Sequence, residues 1–397
     1  MRHLHYAGCL IFLVLVSQSC ATIPRYQAQG EFLDDTVSTT VDSEIARYYL
    51  ENYLQGKRTH PSFDEKIDWL YQKQGPAQPS REELKEISRT FSVDFATLFL
   101  ADRLWAIEEN RTLHKTFNQF LKEKKADPYT PPPHYSSYIV LFVPGWDYVE
   151  HGPVTGADLA APRKLVTELG IENHLVEISP HGSVEENAHD ISTELIEYSR
   201  SGKNIIISGP SSAGPAIHLS LGEQPNQEHL QSVKAWINLG GILQGTPVVD
   251  YLQQWPRGWG LNMYMWWRGW DPEELESMAV EPSRKRFERL SISEDLLVIN
   301  YIGFPLSGQV SPYSQDKYPL FAPEGPNDGL TWLTDAMAPN SLTLIALGRD
   351  HFLAQDPRID EKTVALAKTV IFYLEKDSSA FNLSHLGSNL GNLSRVR

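Results

Sequence analysis

The chain has 397 residues, 50 of them acidic and 35 basic, so its formal net charge at pH 7 is -15. This length allows a full core and more than one domain. The acidic excess argues against a nucleic-acid partner and against electrostatic attraction to anionic lipid surfaces. The two cysteines, Cys9 and Cys20, lie in the first twenty residues, so no disulfide framework or thiolate metal site is predicted further on.

Residues 1–19 have the pattern of a secretory signal peptide. A basic start precedes an apolar run at 7–16 and a small, polar exit, and the run is too short to cross a bilayer as a mature anchor. Cys20, directly after a small residue, resembles a bacterial lipoprotein processing site. The resemblance implies acylation of Cys20 and anchoring at the bacterial cell envelope. Ser17 stands where such sites usually carry leucine, so ordinary cleavage with an incidental cysteine is the alternative.

Two segments precede the main domain. Residues 20–40 are polar and lack periodicity, which predicts a linker. Helical periodicity dominates 41–130, and Ser80 to Glu83 has the spacing of a capping box. Strand signals are nearly absent there, so we predict an N-terminal helical subdomain. We interpret it as a packing extension that buries part of the main domain, in preference to a separate partner-binding module.

The pattern changes after the proline-rich stretch at 128–133, which is typical of an extended connector. From 131 to 377, apolar strand-like runs alternate with helical stretches. This alternation predicts an α/β domain with a mostly parallel central sheet covered on both faces. Functional groups are then expected at the carboxyl ends of the strands. The last residues, 378–397, form a polar tail.

One interval, 251–295, interrupts the alternation and is predicted to be a cap insertion. It carries five of the ten tryptophans. Rings at this density are typical either of a small core within the insertion or of a lid that forms an acyl-binding wall. The sequence leaves both interpretations open.

The stretch NIIISGPSSAG at 204–214 predicts a strand, a tight turn and a helix. Ser211 lies at the turn, with Gly209 two residues before it and Ala213 two residues after. Small flanking residues are needed when a strained turn lifts one side chain clear of the backbone. We therefore interpret Ser211 as a candidate nucleophile, and the adjacent Ser212, with poorer spacing, as the alternative.

A serine nucleophile needs a base and an orienting acid. Asp328 lies in PNDGL and His351 in RDHF, each after a predicted strand. In this order of serine, aspartate and histidine the chain resembles the α/β-hydrolase superfamily, in particular its bacterial lipase-like and esterase branches. The resemblance covers roughly 138–375. It implies that Ser211 is the nucleophile, Asp328 the acid and His351 the general base.

The same resemblance implies an oxyanion hole. VPGW at 143–146 follows the first predicted strand of the domain and is similar to the oxyanion loop, so the backbone N–H groups of Trp146 and Ser212 would hold the oxyanion. The chain departs from the usual pattern at Pro144 and Pro210, where histidine is common, and at Ala213, where glycine is common. These departures leave the backbone donors intact.

Other polar residues have weaker patterns. Asp350 is an alternative partner for His351, although adjacent loop residues rarely point at one another. His181 and His189 lack metal-ligand spacing, and we interpret them as loop and helix-surface residues, with His181 lining the pocket as the alternative. No metal and no organic cofactor is predicted.

Two functions remain at this point. The first is a serine hydrolase of the bacterial cell envelope that cleaves a small-molecule or lipid carboxylic ester through an acyl-enzyme intermediate. The second is a catalytically inactive α/β-hydrolase-like envelope lipoprotein that acts as a binding or assembly scaffold. The altered turn and the large helical region motivate the second.

Overall fold

The computed structural model describes residues 25–123 and 129–376. The predicted signal peptide with Cys20 and the predicted polar tail lie outside the described residues. Within them, no helix is long and apolar enough to span a membrane.

The prediction of a linker at 20–40 is wrong for its described part. Strands β1 (Tyr26–Phe32) and β2 (Asp35–Val41) form an antiparallel hairpin. Alternate side chains such as Val37 and Val41 are buried, which is the two-residue period of a half-buried strand. Isolated valines among Ser and Thr residues are a weak strand signal. Tertiary packing therefore contributes much of what stabilises the hairpin.

Helices follow the hairpin, as the sequence predicts. They are α1 (Glu44–Tyr48), α2 (Pro61–Gln74), α3 (Arg81–Thr90), α4 (Val93–Ala106) and α5 (Glu108–Lys122). The predicted capping box is confirmed at the start of α3, where the Glu83 N–H donates to Ser80 Oγ over 3.3 Å and the Ser80 N–H donates to Glu83 Oε2 over 2.7 Å.

A six-stranded sheet forms the centre of the described chain. Its strands are β3 (Tyr138–Phe142), β4 (Glu172–Leu175), β5 (Asn204–Pro210), β6 (Val233–Leu239), β7 (Leu297–Phe304) and β8 (Leu342–Leu347). Their spatial order is β4-β3-β5-β6-β7-β8. Every neighbouring pair is parallel. This confirms the α/β class and the predicted parallel sheet.

The remaining helices connect the strands or form the cap. They are α6 (Gly152–Thr155), α7 (Ala160–Glu168), α8 (Val184–Ser199), α9 (Ala213–Gly222), α10 (Pro247–Gln253), α11 (Arg257–Arg268), α12 (Pro272–Glu276), α13 (Val280–Arg289), α14 (Tyr318–Phe321) and α15 (Ile359–Glu375). Side chains of α5, α7 and α15 cover one face of the sheet. Those of α8, α9 and α13 cover the other. Covering helices are expected here because the strands are apolar on both faces.

The N-terminal helices and the hairpin pack against the carboxyl end of β7. Their core includes Ile302 and Phe304, together with Leu333 from a later loop. Helix α5 lies along β8, the edge strand. Because this core is shared, the region extends the main domain, in agreement with its interpretation as a packing extension.

The tryptophans of the cap do not form a small core of their own. Four of them are between 65% and 87% exposed, namely Trp255, Trp259, Trp266 and Trp267. The opposite side of α11 carries the buried residues Leu261 and Met265, which line the cavity described below. The core interpretation of this tryptophan cluster is therefore wrong, since four of its five rings are largely exposed to solvent, and two of these, Trp266 and Trp267, also border the cavity.

Candidate active site

Ser211 lies directly after β5, at the carboxyl edge of the sheet. Its φ is 54°, in the left-handed region, whereas Ser212 has φ -63° and begins α9. The Ser211 N–H donates to the Leu239 carbonyl over 3.3 Å, and the Ser211 carbonyl accepts from the Gly214 and Ile242 N–H groups over 3.0 and 3.1 Å. Ser211 is therefore the residue of this turn that adopts the strained, left-handed conformation.

Close packing explains the small residues of the turn. A Cβ at Gly209 would lie 2.6 Å from Ala213 Cβ and 2.7 Å from the Val143 carbonyl oxygen, and a Cβ at Gly214 would lie 2.7 Å from Gly241 Cα. Contacts under 3.0 Å need backbone shifts here, so glycine is required at both positions. Ala213 is buried and fits beside Gly209.

The predicted acid and base form a hydrogen bond. His351 Nδ1 lies 2.8 Å from Asp328 Oδ2. The other carboxylate oxygen, Asp328 Oδ1, accepts from the Leu330 and Thr331 N–H groups over 2.9 and 2.8 Å. The carboxylate is fully buried and its second oxygen is held by the turn. It can therefore fix the orientation of the imidazole, with Nε2 as the free ring nitrogen.

Asp350 does not compete for His351. Its Oδ2 accepts from the Ser311 N–H over 2.7 Å, and its Oδ1 accepts from the Phe352 N–H over 3.0 Å. Both oxygens are thus engaged by the backbone. Its charge still acts at a distance on the imidazole.

Two effects act on the pKa of His351 in opposite directions, and the net result is a pKa above its ordinary value. Burial of the imidazole lowers the pKa, and the charge and hydrogen bond of Asp328, with the charge of Asp350, raise it by more. The electrostatics of the pair therefore stabilise the imidazolium, the form that a general base reaches after it takes a proton.

Ser211 and His351 line the same cavity. Within the described residues, the Ser211 hydroxyl has no hydrogen bond to a protein group. The acid–base link is therefore made in this structure and the serine–base link is not. Catalytic hydrogen bonds often tighten only when substrate binds.

The loop after β3 has hydrogen-bonded N–H groups on both sides of Trp146. The Gly145 N–H donates to the Ala157 carbonyl over 2.9 Å, and the Asp147 N–H donates to the Pro180 carbonyl over 3.0 Å. Among the described residues, neither the Trp146 N–H between them nor the Ser212 N–H has a hydrogen-bond acceptor. Both residues line the cavity. The two predicted oxyanion donors thus belong to residues that line the same cavity as Ser211, and neither N–H has an acceptor among the described residues.

Glu274, on α12 of the cap, is a residue that the sequence analysis misses. The Trp146 indole N–H donates to its Oε1, which also lies 3.1 Å from His181 Nδ1. The His181 ring stacks on Trp270 at 4.2 Å. Burial raises the pKa of Glu274, and its hydrogen bonds with Trp146 and His181 oppose that shift. His181 therefore supports the cap contact and does not line the cavity.

One group of residues could in principle hold a cation. Asp147, Glu150 and His151 offer ligand atoms within 4.8 Å of one another. His151 Nδ1 lies 2.5 Å from Asp147 Oδ2, and Glu150 is paired with Arg268. His151 and Glu150 thus already have protein partners, and we assign no ion to the group.

The cavity has a volume of about 2040 Å³. Its walls come from the carboxyl edge of the sheet, from α11 of the cap, and from the layer between the sheet and helices α7 and α15. Most of the lining side chains are apolar. The arrangement can hold a large apolar ligand beside a serine, a histidine–aspartate pair and two free N–H groups.

No protein-family model matches the sequence, and the search of curated proteins finds no match. Solved structures do match. A metagenomic carboxyl esterase is 16% identical with a TM-score of 0.51, over 63% of this chain and 78% of that chain. A lipase from Bacillus licheniformis in its mature form is 17% identical with a TM-score of 0.44, over 62% of this chain and 94% of that chain. The likeness to the esterase and the order of the parallel strands show that this chain has the α/β-hydrolase fold.

Proposed function

We propose that the chain is a serine hydrolase that cleaves carboxylic esters through an acyl-enzyme intermediate. The observation that carries the proposal is the Asp328–His351 hydrogen bond of 2.8 Å beside a cavity that Ser211 also lines. The similar solved structure of a carboxyl esterase agrees with this reaction class.

The chemistry follows from the positions of these groups. His351 Nε2 takes the proton of Ser211 as the hydroxyl attacks the ester carbonyl, and the Trp146 and Ser212 N–H groups hold the oxyanion. His351 then gives its proton to the leaving alcohol. Water, activated by the same imidazole, releases the acid and restores the serine. Asp328 keeps the proton of the neutral ring on Nδ1 throughout.

We also propose that the enzyme acts at the bacterial cell envelope, anchored through acylated Cys20. The leader pattern of residues 1–19 supports export. The apolar cavity and the exposed tryptophans of α11 favour an ester with an apolar acyl group over a polar one.

A fluorophosphonate probe and p-nitrophenyl butanoate test the reaction. We expect Ser211→Ala to abolish labelling and to lower kcat by a factor of at least about 10³, whereas Ser212→Ala, which keeps its backbone N–H, is still labelled. An unlabelled wild-type protein, or labelling that survives Ser211→Ala, would contradict the proposal and favour the inactive scaffold.

A further inference from the structure

The cavity beside Ser211 continues well past the cap. One part lies under α11, and a second part runs along the face of the sheet that α7 and α15 cover. The second part is lined by apolar side chains of β3, β5, β6, α7 and α15, namely Val140, Phe142, Ile206, Ile237, Val166 and Leu366. We call this second part the sheet channel. The whole cavity, at about 2040 Å³, is larger than the roughly 300–1,000 Å³ of pockets for small molecules.

The strands show that the channel lies inside one layer of the fold. Successive side chains of a strand point to opposite faces, so Val140 and Phe142 of β3 share one face. These residues, with Ile206 and Ile237, belong to the core between the sheet and the covering helices. The channel is therefore a space in the packed layer itself, and it begins at the edge of the sheet where Ser211 lies.

Helix α15 lines the channel along one of its faces. Its lining residues Ile359, Thr363, Leu366 and Val370 are spaced by four, three and four positions, so they lie on one helix face. The helix starts eight residues after His351 and runs away from the catalytic edge. Eleven residues of helix rise span roughly 16 Å.

The mouth of the channel is closed to solvent on one side. The Gln355 side chain donates to the Val154 carbonyl over 2.9 Å. At Gly156, whose φ is 80°, an added Cβ would collide with Ala354 Cβ. The loop before α7 and the loop after His351 therefore meet beside the channel.

These features fit one kind of ligand. The lining face of α15, roughly 16 Å long, matches the length of one acyl chain in a membrane, since the hydrocarbon core of a bilayer is about 30 Å thick and holds two layers of chains. A polar group would meet an apolar space with few hydrogen-bonding partners. A linear chain gains up to about fourfold in affinity for each methylene that it buries.

We propose that the sheet channel binds the acyl chain of a long-chain fatty ester. The ester carbonyl then lies at Ser211, and the alcohol part lies under the cap between α11 and the catalytic edge. This inference rests on the proposed ester hydrolysis and names its substrate class, esters of long-chain fatty acids.

Blocking variants with p-nitrophenyl esters of increasing chain length test the channel. Ala367→Phe and Thr363→Phe place a ring inside it, and Glu361→Phe places the same ring on the exposed side of α15 as the matched control. We expect the ratio of kcat/KM for hexadecanoate to that for butanoate to fall at least tenfold in both blocking variants and to stay unchanged in the control. Ester hydrolysis that depends on Ser211, with an unchanged ratio in both variants, would overturn the channel and leave the proposed function intact.

A second measurement needs no catalysis. A crystal of the wild-type protein soaked with 16-bromohexadecanoic acid should show the bromine between β3 and α15, near Val140 and Val370. A bromine under α11, beside Leu261 and Met265, would overturn the proposal and place the acyl chain beneath the cap. If the enzyme hydrolyses no ester, the proposed function fails, and the bromine position still decides whether the channel binds a chain.

Discussion

The left-handed conformation of Ser211 has a cost that the surrounding hydrogen bonds offset. An L-residue in this region costs roughly 1–2 kcal/mol, and glycine avoids it. We therefore expect Ser211→Gly to be more stable than Ser211→Ala by about 1 kcal/mol, although both lack the nucleophile. Urea unfolding of the two variants measures the difference. Equal midpoints would mean that φ near 54° is not maintained in solution.

The Asp328–His351 pair makes a prediction about pH. The general base acts as neutral imidazole, so its raised pKa places the acid limb of kcat/KM above the ordinary histidine value of about 6.5. In Asp328→Asn the attraction of Asp328 is lost, and only the charge of Asp350 still opposes the effect of burial on the pKa of His351. The limb should then move to lower pH while kcat falls by roughly 10³–10⁴. A pH–rate profile of both proteins measures this, and a limb that stays in place would assign the ionisation to another group.

Glu274 is predicted to act as a positioning residue for the oxyanion loop. Glu274→Ala removes the acceptor of the Trp146 indole N–H, so the neighbouring backbone N–H loses its fixed position. We expect kcat to fall by about tenfold or more with little change in KM, because an oxyanion donor acts chiefly in the transition state.

Glu274→Gln keeps an acceptor oxygen and is the matched control. It should restore most of kcat. If Glu274→Gln were as slow as Glu274→Ala, the charge of the carboxylate and not its hydrogen bond to Trp146 would be responsible.

At the scale of elements, α5 covers the exposed edge of the sheet. Asn110 Oδ1 accepts from the Thr343 N–H over 2.8 Å, and His114 Nε2 accepts from the Ile345 N–H over 2.9 Å. The two donors lie two positions apart on β8, and the two acceptors lie four positions apart on α5. These spacings match the periods of a strand and of a helix. Side chains thus replace a missing strand partner and protect the edge from pairing with other chains.

This edge contact predicts a pH dependence of stability. Burial lowers the pKa of His114 to about 4, below the value of about 6.5 in an unfolded chain. The unfolded state therefore binds a proton first as the pH falls, and the free energy of unfolding should decrease between pH 6.5 and 4 by up to about 3 kcal/mol.

Two substitutions at His114 test the effect by thermal or urea unfolding across this pH range. His114→Gln keeps an acceptor for the Ile345 N–H and cannot titrate, so its stability should fall less steeply with pH. His114→Leu leaves that N–H unpaired and should cost about 1–3 kcal/mol at pH 7. An identical pH slope in wild type and His114→Gln would place the titration at another group, such as His218, whose pKa burial also lowers.

The elements differ in how far the sequence predicts them. Apolar runs such as Ile205 to Ile207 predict the sheet, because a strand that is buried on both faces can be recognised from a continuous apolar run alone. The hairpin is missed, since its pattern depends on single valines. The exposed face of α11 is missed for the opposite reason: aromatic density is typical of a core, and only the fold shows which rings reach solvent.

The residues of the candidate site also differ in how far the sequence predicts them. Ser211, Asp328 and His351 carry local motifs and follow predicted strands, and the carboxyl ends of parallel strands meet at one edge of the sheet, so the sequence alone predicts that they lie together. Glu274 contacts Trp146 across 128 positions of sequence through a cap that has no regular pattern. No local signal indicates such a contact.

For the whole molecule, the proposed attachment to the cell envelope depends on Cys20. Acylation of Cys20 would tether the fold through the short segment that leads into β1. Cys20→Ser, expressed in a bacterial host that processes lipoproteins, is expected to move from the membrane fraction to the soluble exported fraction.

Cys9→Ser is the matched control, because Cys9 lies within the predicted signal peptide and would be removed with it. It should stay with the membrane. A shift in mass between wild type and Cys20→Ser that equals the acyl groups would establish the modification directly. If Cys20→Ser remained bound to membranes, the attachment would have to come from the folded part of the chain, and the exposed tryptophans of α11 would be the surface to test next by Trp266→Ala and Trp267→Ala in the Cys20→Ser background.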